Sequence, residues 1–182
     1  MATRAENDFR YCPRCRTELQ TEVRGGRPRQ VCKAPGCRFV HWDNPVPVVA
    51  TIVEREDGIV LVRSRGSPPT WFGLVAGFLE PGERPEEGAA REVEEEIGLR
   101  GTAPELVGID PFELRNQILF TYHMRVPMDD VRLCAVELEE YRIVPLGRVV
   151  PWNRGTGLAL SRWLAARGFH PTAVDFGRHI ES

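Results

Sequence analysis

Two stretches of this chain stand at a fixed distance from each other. Gly77-Phe78-Leu79-Glu80-Pro81-Gly82-Glu83 is followed, after a short gap, by Arg91-Glu92-Val93-Glu94-Glu95-Glu96-Ile97-Gly98-Leu99. The pattern is G-x5-E-x7-R-E-U-x-E-E-x-G-U, with U aliphatic. At ordinary residue frequencies the seven specified positions would match by chance about once in a hundred million starts, so the spacing demands a physical reason. A helix supplies one. Pro85 suits a first helical turn, Glu86 and Glu87 suit its positive end, and Gly98 suits the position just past its end. At helical periodicity Ala89, Ala90, Val93 and Ile97 form one apolar stripe, and Glu92, Glu95 and Glu96 gather on its flank. Glu94 points to the other side. Carboxylates crowded in this way repel one another, and a hard divalent cation with oxygen ligands, such as Mg²⁺, removes that penalty. The alternative, a solvated acidic face, explains neither the glycine nor the arginine at their offsets.

A second cluster lies near the start of the chain: Cys12-Pro-Arg-Cys15 and Cys32-Lys-Ala-Pro-Gly-Cys37. Two short knuckles at this separation can place four thiolates around a tetrahedral Zn²⁺; two disulfides or free thiols are the other reading. Without a recognisable secretion signal, zinc and a cytoplasmic location are the expectation. Such a closed site is structural, because some thirty residues build too little core to fold unaided. Cys134 is left over and reads as a small apolar side chain.

The remaining composition excludes more than it assigns. No apolar run reaches the roughly 18 residues of a membrane span, so no membrane partner is expected. The net charge is -2, but residues 1–42 carry nine basic side chains against Glu6, Asp8, Glu18 and Glu22. No aromatic-interleaved basic stretch accompanies that excess, and nucleic acid is not expected as a partner. Residues 1–10 read as loose. Thr21–Val23 and Gln30–Val31 read as a hairpin turning at Gly25-Gly26, and Asp43-Asn44-Pro45 as a linker. Strands are expected over 46–53, 59–63, 71–78, 105–109, 117–126 and 141–145, with a helix over 157–167. The tally is α/β, organised as a ribbon over 1–42 and a larger domain over 43–182.

On these residues the chain resembles a Nudix hydrolase carrying an N-terminal zinc ribbon, from Tyr11 to about Pro171. The resemblance implies an α/β/α sandwich around a mixed sheet. It also implies an enzyme that cleaves the pyrophosphate of a nucleoside diphosphate linked to another group. Under it, Glu92, Glu95 and Glu96, with the Gly77 carbonyl, are ligands to Mg²⁺ or Mn²⁺. Glu83 and Arg91 form a supporting ion pair. Of the downstream acids Glu137, Glu139 and Glu140, Glu140 best matches a position close to the metal; an exposed acidic loop is the competing reading. A small nucleotide is the implied partner, and there is room for a homodimer.

The substrate is read less directly. Zinc-ribbon members include NADH pyrophosphatases and a shorter branch acting on FAD or ADP-ribose. The former carry a Ser-Gln-Pro-Trp-Pro-Phe-Pro array after the box. Here Ile109-Asp110-Pro111-Phe112-Glu113-Leu114-Arg115-Asn116 stands in its place, so the resemblance favours FAD or ADP-ribose. Phe78 offers an adenine platform or a core position. Arg63 and Arg65 offer phosphate contacts or a solvated hairpin edge. Trp71, before the box, reads as packing. Two other functions compete: a silent domain used for regulation, which would have lost box glutamates, and an enzyme removing nucleotide caps from RNA.

Overall fold

The computed structural model describes residues 9–176; the first eight residues of the segment expected to be loose lie outside them. The chain forms two compact units. One comprises the residues up to Pro45 together with Leu114–Asn116, and the other Val46–Glu113 with the chain from Gln117 onward. Asp43 and Asn44, read as linker, therefore group with the first unit. There Asn116 Nδ2 donates to Asp43 Oδ1 at 3.0 Å and to the Asn44 carbonyl at 3.2 Å.

The first unit is a three-stranded antiparallel ribbon of β1 (Gln20–Arg24), β2 (Arg27–Val31) and β3 (Val40–His41). Gly25 and Gly26 turn β1 into β2 with φ of 58° and 76°, the left-handed pair that a two-residue hairpin requires. Its buried core is Cys12, Leu19 and Cys32, with Ala34, Cys37 and Phe39 packed against it. So small a core leaves the cysteines as its main means of cohesion.

In the second unit, β4 (Val46–Arg55), β5 (Gly58–Ser64), β6 (Val75–Phe78), β7 (Glu105–Phe112), β8 (Gln117–Arg125) and β9 (Leu138–Val144) make one sheet. Its order is β7-β8-β4-β5-β9, with β6 also paired to β4. The β4–β8 pair is parallel and the others antiparallel, so the sheet is mixed. Six consecutive residues of β4, Val48–Val53, are buried, as expected of a strand covered on both faces. Helix α2 (Thr156–Ala165) covers one face: Leu160, Trp163 and Leu164 pack with Ala50, Ile52, Ile59 and Leu61. Helix α1 (Pro85–Ile97) covers the other, with Val93 and Ile97 against Val53, Val60, Val75 and Met124. This is the α/β/α sandwich. Each such fully buried aliphatic side chain contributes about 1.5–3 kcal/mol. Among the described residues no helix is long and apolar enough to cross a membrane.

Three boundaries differ from the sequence expectation. Strand β6 begins at Val75 rather than near residue 71, because the Trp71 N–H closes a turn onto the Pro68 carbonyl at 2.9 Å. Strand β9 begins at Leu138, which puts Glu139 and Glu140 in a strand and not in an acidic loop. Strand β7 runs on to Phe112.

Candidate active site

Helix α1 is fixed at both ends. The Glu87 carboxylate accepts the Arg84 N–H at 3.1 Å, and Gly98, at φ 70°, closes the C-terminus onto the Glu94 carbonyl. Its apolar stripe turns Glu92 and Glu96 inward to 9% and 6% exposure, whereas the Glu95 side chain stays 59% exposed. The three box carboxylates thus share a flank but not an environment.

Arg91 ties the box together. Its guanidinium donates to Glu83 at 2.7 and 3.1 Å, to Glu92 at 2.9 Å, to Glu95 at 2.7 Å and to the Phe78 carbonyl at 3.1 Å. One planar fork with five donors can do this; a lysine cannot. Glu83 also accepts the Glu80 N–H at 3.0 Å, which locks the turn before the helix. The Arg91 bonds, reinforced by that N–H, hold the Glu83 carboxyl below its usual range.

Glu92 and Glu96 shift the other way. Burial raises both, and Arg91 only partly offsets the rise at Glu92. Glu96 is pushed up to about 8 by burial and by the charges of Glu92 and Glu137, against one hydrogen bond from the Ala76 main chain. Its Oε2 is buried with no partner. Gly77 lies directly against this pair: a Cβ built there would overlap the Glu92 carboxyl group. Two buried carboxylates, an orphaned oxygen and a main-chain cradle form an all-oxygen donor set, and these residues fit a hard divalent cation.

The downstream acids divide differently from the sequence expectation. Glu140 faces Arg63 across the β5–β9 register and pairs with Arg63 and Arg142, both at 3.3 Å. Glu139 pairs with Arg63, accepts the Gly66 N–H at 3.3 Å and lies 3.9 Å from Arg65. Neither carboxylate acts on the helix pair; Glu137 does. The register explains this: Glu137 sits in the turn Cys134–Leu138, which the Cys134 N–H ties to the Glu96 carbonyl at 2.8 Å. Sequence reasoning named Glu137 but ranked Glu140 above it, and only the start of β9 decides between them. Arg63 and Arg65 are likewise already engaged by carboxylates. Phe78, at the end of β6, is 59% exposed and so is not a core residue. Trp71 is 38% exposed and lies 6.0 Å from Phe176.

The profile of the NUDIX domain matches residues 44–164. The chain belongs to the NUDIX family. Among NUDIX relatives, the NAD-capped RNA hydrolase NudC of Stutzerimonas stutzeri is 27% identical over 136 residues, 75% of this chain and 48% of that protein. The human NAD-capped RNA hydrolase NUDT12 is 30% identical over 141 residues, 74% of this chain and 30% of that protein. The chain thus spans about half the length, or less, of these curated relatives. A NUDIX hydrolase crystal structure from Nitrosomonas europaea superposes with a TM-score of 0.74 at 26% identity, covering 91% of this chain and 96% of that one.

The ribbon holds the other candidate metal centre. The Sγ atoms of Cys12, Cys15, Cys32 and Cys37 lie within 4.8 Å of one another. Cys12 and Cys37 are 3.8 Å apart, Cys15 and Cys32 3.4 Å, and all four are free thiols. Thiolates about 2.3 Å from a tetrahedral Zn²⁺ stand close to such separations, so the cluster can hold that ion. Hydrogen bonds from the Thr17 hydroxyl and main chain lower Cys15 to about 6.

Proposed function

We propose that this protein hydrolyses the pyrophosphate bond of a nucleoside diphosphate joined to a second group, with Mg²⁺ or Mn²⁺ held by Glu92, Glu95, Glu96 and the Gly77 carbonyl. The observation that carries this reading is the buried pair Glu92 and Glu96, pressed against Gly77, with one carboxylate oxygen left without a partner. When bound, such a cation neutralises the pyrophosphate and lowers the pKa of the attacking water. The chain's own residues do the rest. Arg91 holds Glu92 and Glu95 in place and joins them to the Gly77–Glu83 loop. Glu96 keeps a proton on its carboxyl until a cation displaces it. Glu137, rather than Glu140, stands where a proton acceptor can work beside that pair. Zn²⁺ in the ribbon has a structural role.

The substrate we assign is an ADP-containing compound, FAD or ADP-ribose first, cut to AMP and a second monophosphate. Exposed Phe78, next in the chain after Gly77, gives an adenine a face to stack on. A second reading, cleavage of NADH or of an NAD cap on RNA, draws on the names of the two sequence relatives. The test is to incubate purified protein and Mg²⁺ or Mn²⁺ with FAD, ADP-ribose, NADH, diadenosine polyphosphate and NAD-capped RNA, and to identify products by mass. Cleavage of FAD or ADP-ribose at least tenfold faster than NADH supports the first assignment, and the reverse preference overturns it. No cleavage of any, or a Glu95→Gln variant as active as wild type, overturns the proposal as a whole.

A further inference from the structure

The overall charge conceals a strong asymmetry. Residues 9–42 carry eight Arg or Lys side chains against Glu18 and Glu22 alone, whereas residues 43–182 carry fifteen basic against twenty-two acidic. The ribbon is therefore a strongly positive module, and its fold pairs that charge with aromatic rings. Arg29 lies over the Trp42 ring at 5.9 Å, Arg14 over Phe39 at 5.9 Å and Arg10 over Tyr11 at 5.4 Å. In the linear sequence Arg29 and Trp42 are far apart; the strands bring them together.

One ribbon face collects the relevant groups. Arg24 pairs with Arg27, Glu22 with Arg29, and Gln30 with His41, so Trp42 follows opposite Arg29. Residues opposite one another, and those two apart along a strand, share a face. Arg24, Arg27, Arg29 and Trp42 thus stand together. Trp42 is 50% exposed, and the turn glycine Gly25 lies beside its ring with space even for a Cβ. Glu22 sits among them and pairs with Arg24 and Lys33, which leaves the arginines in excess.

We propose that this face binds single-stranded nucleic acid, with a base stacked on Trp42 and the backbone phosphates on Arg24, Arg27 and Arg29. An open indole flanked by guanidinium groups matches a base with its phosphates. A duplex keeps its base faces stacked internally and cannot offer one to Trp42. Nothing in this inference depends on the hydrolytic site, and it goes beyond the hydrolysis proposed above.

The test measures fluorescence anisotropy of a labelled 12-nucleotide RNA, and its DNA counterpart, with the full chain in the absence of Mg²⁺ and Mn²⁺. Wild type binds single strands more tightly than the duplex, and affinity falls steeply with salt. Trp42→Ala weakens binding about tenfold, Trp42→Phe by less than threefold, and both keep the zinc content of wild type. Arg24→Gln with Arg27→Gln flattens the log–log salt slope by about 1. A heparin fragment of similar charge is indifferent to Trp42→Ala. Equal binding by wild type and Trp42→Ala, or parallel losses for heparin and RNA, shows a polyanion surface and overturns the proposal. So does binding to phosphatidylserine vesicles without binding to RNA. The same variants retain wild-type turnover of a free dinucleotide. Absent turnover in wild type alongside Trp42-dependent RNA binding would defeat the hydrolytic reading alone.

Discussion

Replacing Glu96 with Gln is expected to stabilise the fold while abolishing activity. Glu96 is raised from an ordinary 4.5 to about 8 by burial and by its acidic neighbours Glu92 and Glu137. The folded protein therefore keeps a proton on Glu96 across a pH range in which the unfolded chain has lost it. Stability then falls as pH rises from about 4.5 to 8, and the full penalty persists above that range. At about 1.4 kcal/mol for each pH unit of displacement the penalty approaches 5 kcal/mol, an upper bound because the site can relax or admit water. Gln has the shape of the protonated acid and never ionises. We expect Glu96→Gln to match wild type at pH 5 and to exceed it by about 2–4 kcal/mol at pH 9, a rise in Tm on the order of 4–16 °C. The assay is thermal unfolding without added divalent ion, followed by tryptophan fluorescence, since Trp152 and Trp163 are buried in the core beneath α2. Saturating Mg²⁺ should narrow the gap by stabilising the ionised wild type. A gap independent of pH, or a variant less stable than wild type at pH 9, would refute the reasoning.

Three further outcomes follow from the same structure. Phe78→Ala should raise KM at least fivefold and leave Tm within about 2 °C, because the ring is mostly exposed; a large loss of Tm would mark a packing role. Purified protein should contain one Zn²⁺ per chain, and Cys32→Ser should lose it while the unfolding transition of the larger unit persists; elemental analysis without zinc would refute this. Asp110→Ala should destabilise the larger unit by about 3–5 kcal/mol in denaturant titration. Asp110 is 8% exposed and accepts both terminal nitrogens of Arg162, at 3.1 and 2.6 Å, and nothing replaces that pair.

The helix and most strands were legible because local chemistry specifies them. Pro85, the apolar stripe and Gly98 bound α1 without reference to anything distant. The arrangement of charge was not legible, because it depends on register. Nothing in Glu137-Leu138-Glu139-Glu140 says which acid faces Arg63 and which reaches Glu96; the first residue of β9 decides. The unequal burial of Glu95 and Glu96 is likewise a tertiary property, since both occupy the same helical flank. The Arg29–Trp42 pair was hidden for the same reason, as it arises from strands separated by a knuckle.

The parallel pairing of β4 with β8 has a consequence in time. Strands β5 and β6, helix α1 and strand β7 all lie in the stretch of chain between those partners. A parallel pair cannot be closed by a tight turn and must wait for its crossover. Here the crossover contains the whole metal-binding box. Non-local pairings of this kind form late and slow the folding of the domains that depend on them. A nascent chain can complete its ribbon and its β4–β5 hairpin well before Val48 meets Leu119. Until then Glu92 and Glu96 remain in water, where they repel each other without the burial that tunes them. The last contact to form in the sheet is thus also the one that switches the site on, and a partly folded molecule would be inert rather than promiscuous.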